Sequence, residues 1–110
     1  MATHDELVNQ KITGESARKL EPAEALQLLG FLHGWQQEGQ NISKTFKFED
    51  FYETIDFVNA VAHLANRHDH HPDLAVNYNR CGVSLTSHSA GGLTKNDFIL
   101  AAKIEALLRL

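Results

Sequence analysis

The feature that most constrains the fold of this chain is a change of apolar period near Glu49. Before it, Ile42, Phe46 and Phe48 share one parity and Asn41, Ser43, Thr45 and Lys47 the other, the alternation of a half-buried strand. From residue 49 to about 67 the spacing becomes four, three, four, three through Phe51, Ile55, Val58, Ala62 and Ala65, with Val61 and Leu64 widening the stripe. That is an amphipathic helix. Side chains alternate across a strand but share a helix face only at three- or four-residue spacing, so a strand must give way to a helix here.

The flanking segments repeat the contrast. Residues 35–39 predict a strand paired with 41–48 about a short turn. After Pro72, Leu74, Val76 and Tyr78 alternate with Ala75, Asn77 and Asn79, and Val83 and Leu85 alternate with Ser84, Thr86 and His88, which predicts two further strands. Glu21-Pro22-Ala23-Glu24 opens a helix with proline and acids in its first turn, and Thr94-Lys95-Asn96-Asp97 resembles a capping box before a final apolar helix. Residues 1 to about 20 read as a loosely ordered leader, and 21–110 as one domain. The order α-β-β-α-β-β-α, with connections too short for parallel crossovers, predicts an α+β fold: a four-stranded antiparallel sheet with helices packed on one face. The apolar stripes of 49–67 and 97–108 are wider than one small sheet is expected to cover, which suggests a homodimer or homotetramer.

Composition narrows the function classes. With 110 residues, 43% hydrophobic and 22% charged, the chain is neither disordered nor low in complexity, and its one cysteine, Cys81, excludes a disulfide scaffold. A net charge of −4 lacks the basic excess that phosphate binding asks for, so no direct nucleic-acid partner is expected. The longest nearly apolar run, 60–65, is too short to cross a membrane, and no basic stretch leads into an apolar one near the start. A cytoplasmic location is expected.

Seven histidines stand out, because imidazole titrates near neutrality. His68-Asp69-His70-His71-Pro72 falls between the central helix and the third predicted strand, where Pro72 restricts His71 to extended backbone. His88, at the end of the fourth predicted strand and off its core parity, sits among Thr86, Ser87 and Ser89. Three imidazoles are thus placed to converge on a small molecule, with solvent-exposed histidines as the plain alternative. A metal site is the other: His68 and His70 share a face if extended, with Asp69 adjacent, although the spacing lacks the pairs of common zinc motifs. Asp97 is expected to cap its helix. His4, His33, His63 and His68 read as background.

The pattern His70-His71-Pro72, Tyr78, His88, Asp97 resembles the signature of the pterin-4a-carbinolamine dehydratases, and Gly34-Trp35, Ser87-His88 and Gly92-Leu93-Thr94 are similar to that family as well. One position departs: the family usually carries an acidic, basic or histidine side chain where this chain has Asn66. The resemblance implies dehydration of 4a-hydroxytetrahydropterin to quinonoid dihydropterin, in recycling tetrahydrobiopterin for an aromatic amino-acid hydroxylase, with no metal or redox cofactor. It makes His70, His71 and His88 the catalytic set, with His70 and His88 as acid and base and His71 orienting the pterin. Asp69, Thr86, Ser87 and Ser89 join the histidines as substrate-binding residues. The same resemblance implies an alternative role, as a dimerisation cofactor of a transcription factor, and leaves room for a different pterin, as in molybdopterin metabolism.

Overall fold

The computed structural model describes residues 4–108. Its elements follow in the order α1 (His4–Asn9), a 3-10 turn (Glu15–Ala17), α2 (Pro22–Leu29), β1 (Gln36–Glu38), β2 (Asn41–Lys47), α3 (Phe51–His68), β3 (Asp73–Val76), β4 (Arg80–Leu85), a second 3-10 turn (His88–Ala90) and α4 (Lys95–Ala106). The strands form one antiparallel sheet in the order β1-β2-β4-β3. The expected α+β class is present, with one helix more than expected ahead of α2.

Register sets which face is buried. Ile42 lies opposite Leu85, Phe46 opposite Cys81, and Leu74 opposite Val83, so the alternating apolar residues of three strands line one face beneath the helices. Lys44 falls on that same parity; it avoids an unpaired charge by pairing with Glu105 and donating to the His33 carbonyl at 2.9 Å, with its ammonium 4.9 Å from the centre of the Phe46 ring. Trp35 packs edge-on to Phe46 at 6.1 Å, and its indole N–H also reaches Glu105.

Two sequence expectations are corrected. The inward face of α3 is Thr54, Phe57, Val61, Leu64 and Ala65, whereas Ala62 and Phe51 are exposed. Helix rotation is fixed by Phe57, wedged between Phe46 and Phe48 at 4.8 and 5.1 Å, and by the buried Thr54 hydroxyl, shared between the carbonyls of Asp50 and Tyr78. The second correction concerns residues 4–20, which are no loose leader. Leu7 has no exposed surface, Val8 and Ile12 pack on the core, and the Leu20 N–H bonds the Leu93 carbonyl at 2.8 Å.

The reason lies in α4. Phe98, Ile99, Leu100, Ala101, Ala102 and Ile104 are all fully buried, so this helix is apolar around most of its circumference. A single sheet covers one side only, and α1 and α2 cover the other. Most of the broad apolar surface of 97–108 that suggested self-association is therefore covered within the chain, with Leu108 left 48% exposed. Truncating Phe98 to alanine would cost about 3–5 kcal/mol.

Candidate active site

The C-terminus of α3 delivers the histidine pair. Asp69 caps the helix in the left-handed region (φ 49), a conformation that asparagine and aspartate tolerate better than most residues, and the His70 N–H closes the turn on the Ala65 carbonyl at 3.2 Å. The chain then turns sharply into His70, His71 and β3. On the other side, β4 ends at Leu85, earlier than expected, and His88 begins a 3-10 turn that Gly91 closes with φ 76. Gly92 follows so closely against Gln40 that a Cβ would lie 2.3 Å from its Oε1.

Asp97 joins the two sides. It occupies the third position of α4 and completes the expected capping box, its Oδ2 accepting the Thr94 N–H and the Ser87 hydroxyl, each at 2.9 Å. Its other oxygen, Oδ1, lies 2.6 Å from His70 Nε2. A carboxylate only accepts, so this nitrogen carries the proton and Nδ1 stays outside the pair. Asp97 has no exposed surface, and such charge-assisted bonds are stronger than neutral ones. Asp97 is therefore a cap and, in addition, the group that fixes the tautomer and direction of His70. The sequence contained the spacing that relates Asp97 to His70, but helix capping alone accounted for the residue.

His71 Nε2 pairs with the Asn66 side-chain oxygen at 3.0 Å. The position at which the chain departs from the family pattern thus still holds the second histidine, through a neutral amide. His88 is exposed, and among the described residues nothing hydrogen-bonds its ring.

One cavity of about 510 Å3 is bordered by Asp69, His70, His71, Thr86, Ser87, His88 and Ser89. The structure brings every residue proposed to contact substrate to this cavity. Their hydroxyls are not equally available: Thr86 Oγ1 donates to the Gln40 carbonyl at 2.6 Å and Ser87 Oγ donates to Asp97 and pairs with Thr94, which leaves Ser89 as the hydroxyl whose proton is unused among the described residues. His68, read as background, also borders the cavity, and burial followed by the charges of Lys103 and Arg67 lowers its pKa below the ordinary value. Sequence reasoning missed Ile12, Thr13, Gly14, Ala17 and Asn96, which complete the lining. Tyr78 of the motif is elsewhere, 65% exposed and stacked on Phe51 at 6.4 Å. Among the described residues no group of three His, Cys, Asp or Glu side chains is arranged to hold a metal ion, and no helix is long and apolar enough to cross a membrane.

A family model described as pterin 4 alpha carbinolamine dehydratase matches residues 18–107. The chain belongs to this family. A protein of Nitrosospira multiformis, provisionally named pterin-4-alpha-carbinolamine dehydratase, is 50% identical over 83% of this chain and 80% of its own length. A protein of Bdellovibrio bacteriovorus with the same provisional name is 45% identical over 97% of this chain and 92% of its own. Among solved structures, one described as a transcriptional coactivator/pterin dehydratase from Brucella melitensis superposes with a TM-score of 0.79 at 36% identity, covering 82% of this chain and 98% of that one. Membership of the pterin carbinolamine dehydratase family supports a dehydratase function.

Proposed function

We propose that this protein dehydrates 4a-hydroxytetrahydropterin to quinonoid dihydropterin. The observation that carries the reading is the placement of His70, oriented by a buried carboxylate, on the same cavity as His71 and His88. In the reaction the bond from the ring carbon to its hydroxyl breaks and the oxygen leaves as water, taking a proton from the acid. The adjacent ring nitrogen gives its proton to the base and forms the new double bond to carbon. Atoms and charge balance without an oxidant, so two groups titrating near neutrality are the whole requirement.

His70 and His88 are the acid and base, and the two exchange roles for opposite substrate stereoisomers. His71, tied to Asn66, orients the ring. Asp69 and Ser89 supply hydrogen bonds to it, whereas Thr86 and Ser87 shape the wall through their internal bonds. From the family resemblance we extend this reading to tetrahydrobiopterin recycling beside an aromatic amino-acid hydroxylase, in the cytoplasm and without metal or redox cofactor. A stopped-flow absorbance trace with synthesised carbinolamine tests the reading: accelerated decay that is lost in His70→Ala supports it, and a trace no faster than buffer overturns it.

A second reading, a protein-interaction role, draws on one observation. Phe51, Tyr52, Val76 and Tyr78 are exposed together where the N-terminus of α3 meets the β3–β4 hairpin, away from the cavity. A flat trace from a folded protein favours this reading.

A further inference from the structure

The ring of His88 makes no hydrogen bond among the described residues, so its place at the cavity is set by its backbone. That backbone is a small closed loop. Ser87 and Gly92 pair across its neck, each N–H donating to the other's carbonyl at 3.3 Å, and within it the Ala90 and Gly91 N–H groups donate to the Ser87 and His88 carbonyls, both at 3.1 Å. A loop held only by its own bonds tilts as a unit, so whatever fixes its direction lies outside it.

One residue of the β1–β2 turn holds this loop at both ends. Gln40 follows Gly39 (φ 58) between the paired residues Glu38 and Asn41. Its backbone carbonyl accepts the Thr86 hydroxyl at 2.6 Å, immediately before the neck, and its side-chain oxygen accepts the Leu93 N–H at 3.0 Å, immediately after it. An N–H only donates, so the amide atom facing Leu93 is the oxygen. The Leu93 carbonyl in turn accepts the Leu20 N–H at 2.8 Å, which leaves this buried residue no freedom to shift. Gly92 permits the close approach, because a Cβ there would lie 2.3 Å from Gln40 Oε1 and 2.9 Å from its Cδ.

We propose that Gln40 is the positioning residue of His88, aiming it into the cavity through the loop that carries it. A single anchor would let the loop pivot, whereas two anchors from one residue, on either side of the neck, fix its tilt. Gln40 does not itself border the cavity, so it acts only through what it holds. The proposal rests on the reading of His88 as acid or base and adds what directs it: Asp97 aims His70 through its ring, and Gln40 aims His88 through its backbone. Gln40 is exposed, so replacing it empties no space in the core.

The test combines stopped-flow rates on synthesised carbinolamine with amide hydrogen exchange. Gln40→Ala removes the side-chain anchor and lowers kcat about tenfold with KM within about twofold of wild type. In the same variant the amides of Ser87, Ala90, Gly91 and Gly92 exchange at least about tenfold faster, while those of β4 keep their protection. Gln40→Glu retains an acceptor for Leu93 and keeps the rate within about threefold of wild type, and Gly92→Ala, which displaces the Gln40 side chain, reproduces the loss. The deciding measurement is a double-mutant cycle: once His88 is alanine, Gln40→Ala lowers the rate no further, whereas a general loosening of the fold lowers it again. If Gln40→Ala fails to fold, Gln40→Met carries the same measurements. A second loss of about tenfold on top of His88→Ala, or unchanged exchange across the loop, overturns the proposal. Wild-type protein that does not accelerate dehydration overturns instead the dehydratase reading beneath it, and the exchange rates then still decide whether Gln40 holds the loop.

Discussion

His70 and His88 border one cavity but are held in opposite ways. His70 leaves a helix through a left-handed cap and is bonded to a carboxylate with no exposed surface, which is itself bonded to Ser87 and Thr94. His88 sits exposed on a short 3-10 turn, its ring tied to nothing among the described residues. One imidazole is fixed in tautomer and direction before a ligand arrives, and the other is free to adapt. Such a division suits a proton exchange between two points on a ligand, with one side preorganised and the other able to follow the substrate stereoisomer.

The largest effect that separates the two should come from removing each ring. His70→Ala and His88→Ala are both expected to slow dehydration about a hundredfold or more in stopped flow. Their stabilities should diverge: His70→Ala leaves Asp97 Oδ1 buried and unpaired, a loss of about 1–3 kcal/mol in urea unfolding, whereas His88→Ala stays within about 0.5 kcal/mol of wild type. Equal stability losses would break the comparison.

Asp97→Asn comes next. It keeps the shape but offers His70 a neutral partner, and we expect about a tenfold lower rate, an altered pH–rate profile and a lower unfolding midpoint. A structural role alone would move the midpoint and leave the pH profile unchanged. Asp69→Gly separates backbone from side chain, since glycine accepts the left-handed cap: stability should be held, and any rise in KM reports the carboxylate at the cavity edge. Ser87→Ala removes one donor to Asp97 and should cost about 1 kcal/mol of stability with little change in rate.

The smallest effect concerns His68. Its pKa lies below the ordinary 6.5, first because burial disfavours the imidazolium and then because Lys103 and Arg67 repel it. The fold therefore favours the neutral ring. Its contribution to stability is fully present above 6.5 and declines as pH falls through the lowered value. His68→Gln should flatten that acid limb in urea midpoints measured across the range, and an unchanged limb would remove His68 from the account.

Much of this architecture was legible because period is a local property. The alternation at Ile42 and Phe46, the helical spacing from Phe51 onward, and the Thr94–Asp97 capping box each depend on residues a few positions apart. The rotation of α3 was not legible, since Thr54 looks polar in sequence and is buried only because two carbonyls from different elements meet its hydroxyl. The packing of residues 4–20 was hidden for a similar reason. Leu7 and Ile12 are sparse among polar neighbours, and only the all-round apolar surface of α4 gives them a place to bury.

The sequence by itself determined the chemistry on offer: histidines at family spacing, a proline that extends His71, a cap at Asp97 and the absence of a cysteine partner. Only the tertiary structure decided how those groups are used. It spent the Thr86 and Ser87 hydroxyls on internal bonds, gave Asn66 to His71, made Asp97 the partner of His70, and brought Ile12, Thr13, Gly14 and Ala17 to the cavity wall. The physical reason is that a hydrogen bond is settled by distance and direction between atoms far apart in the chain, whereas the period of apolar residues is settled by neighbours.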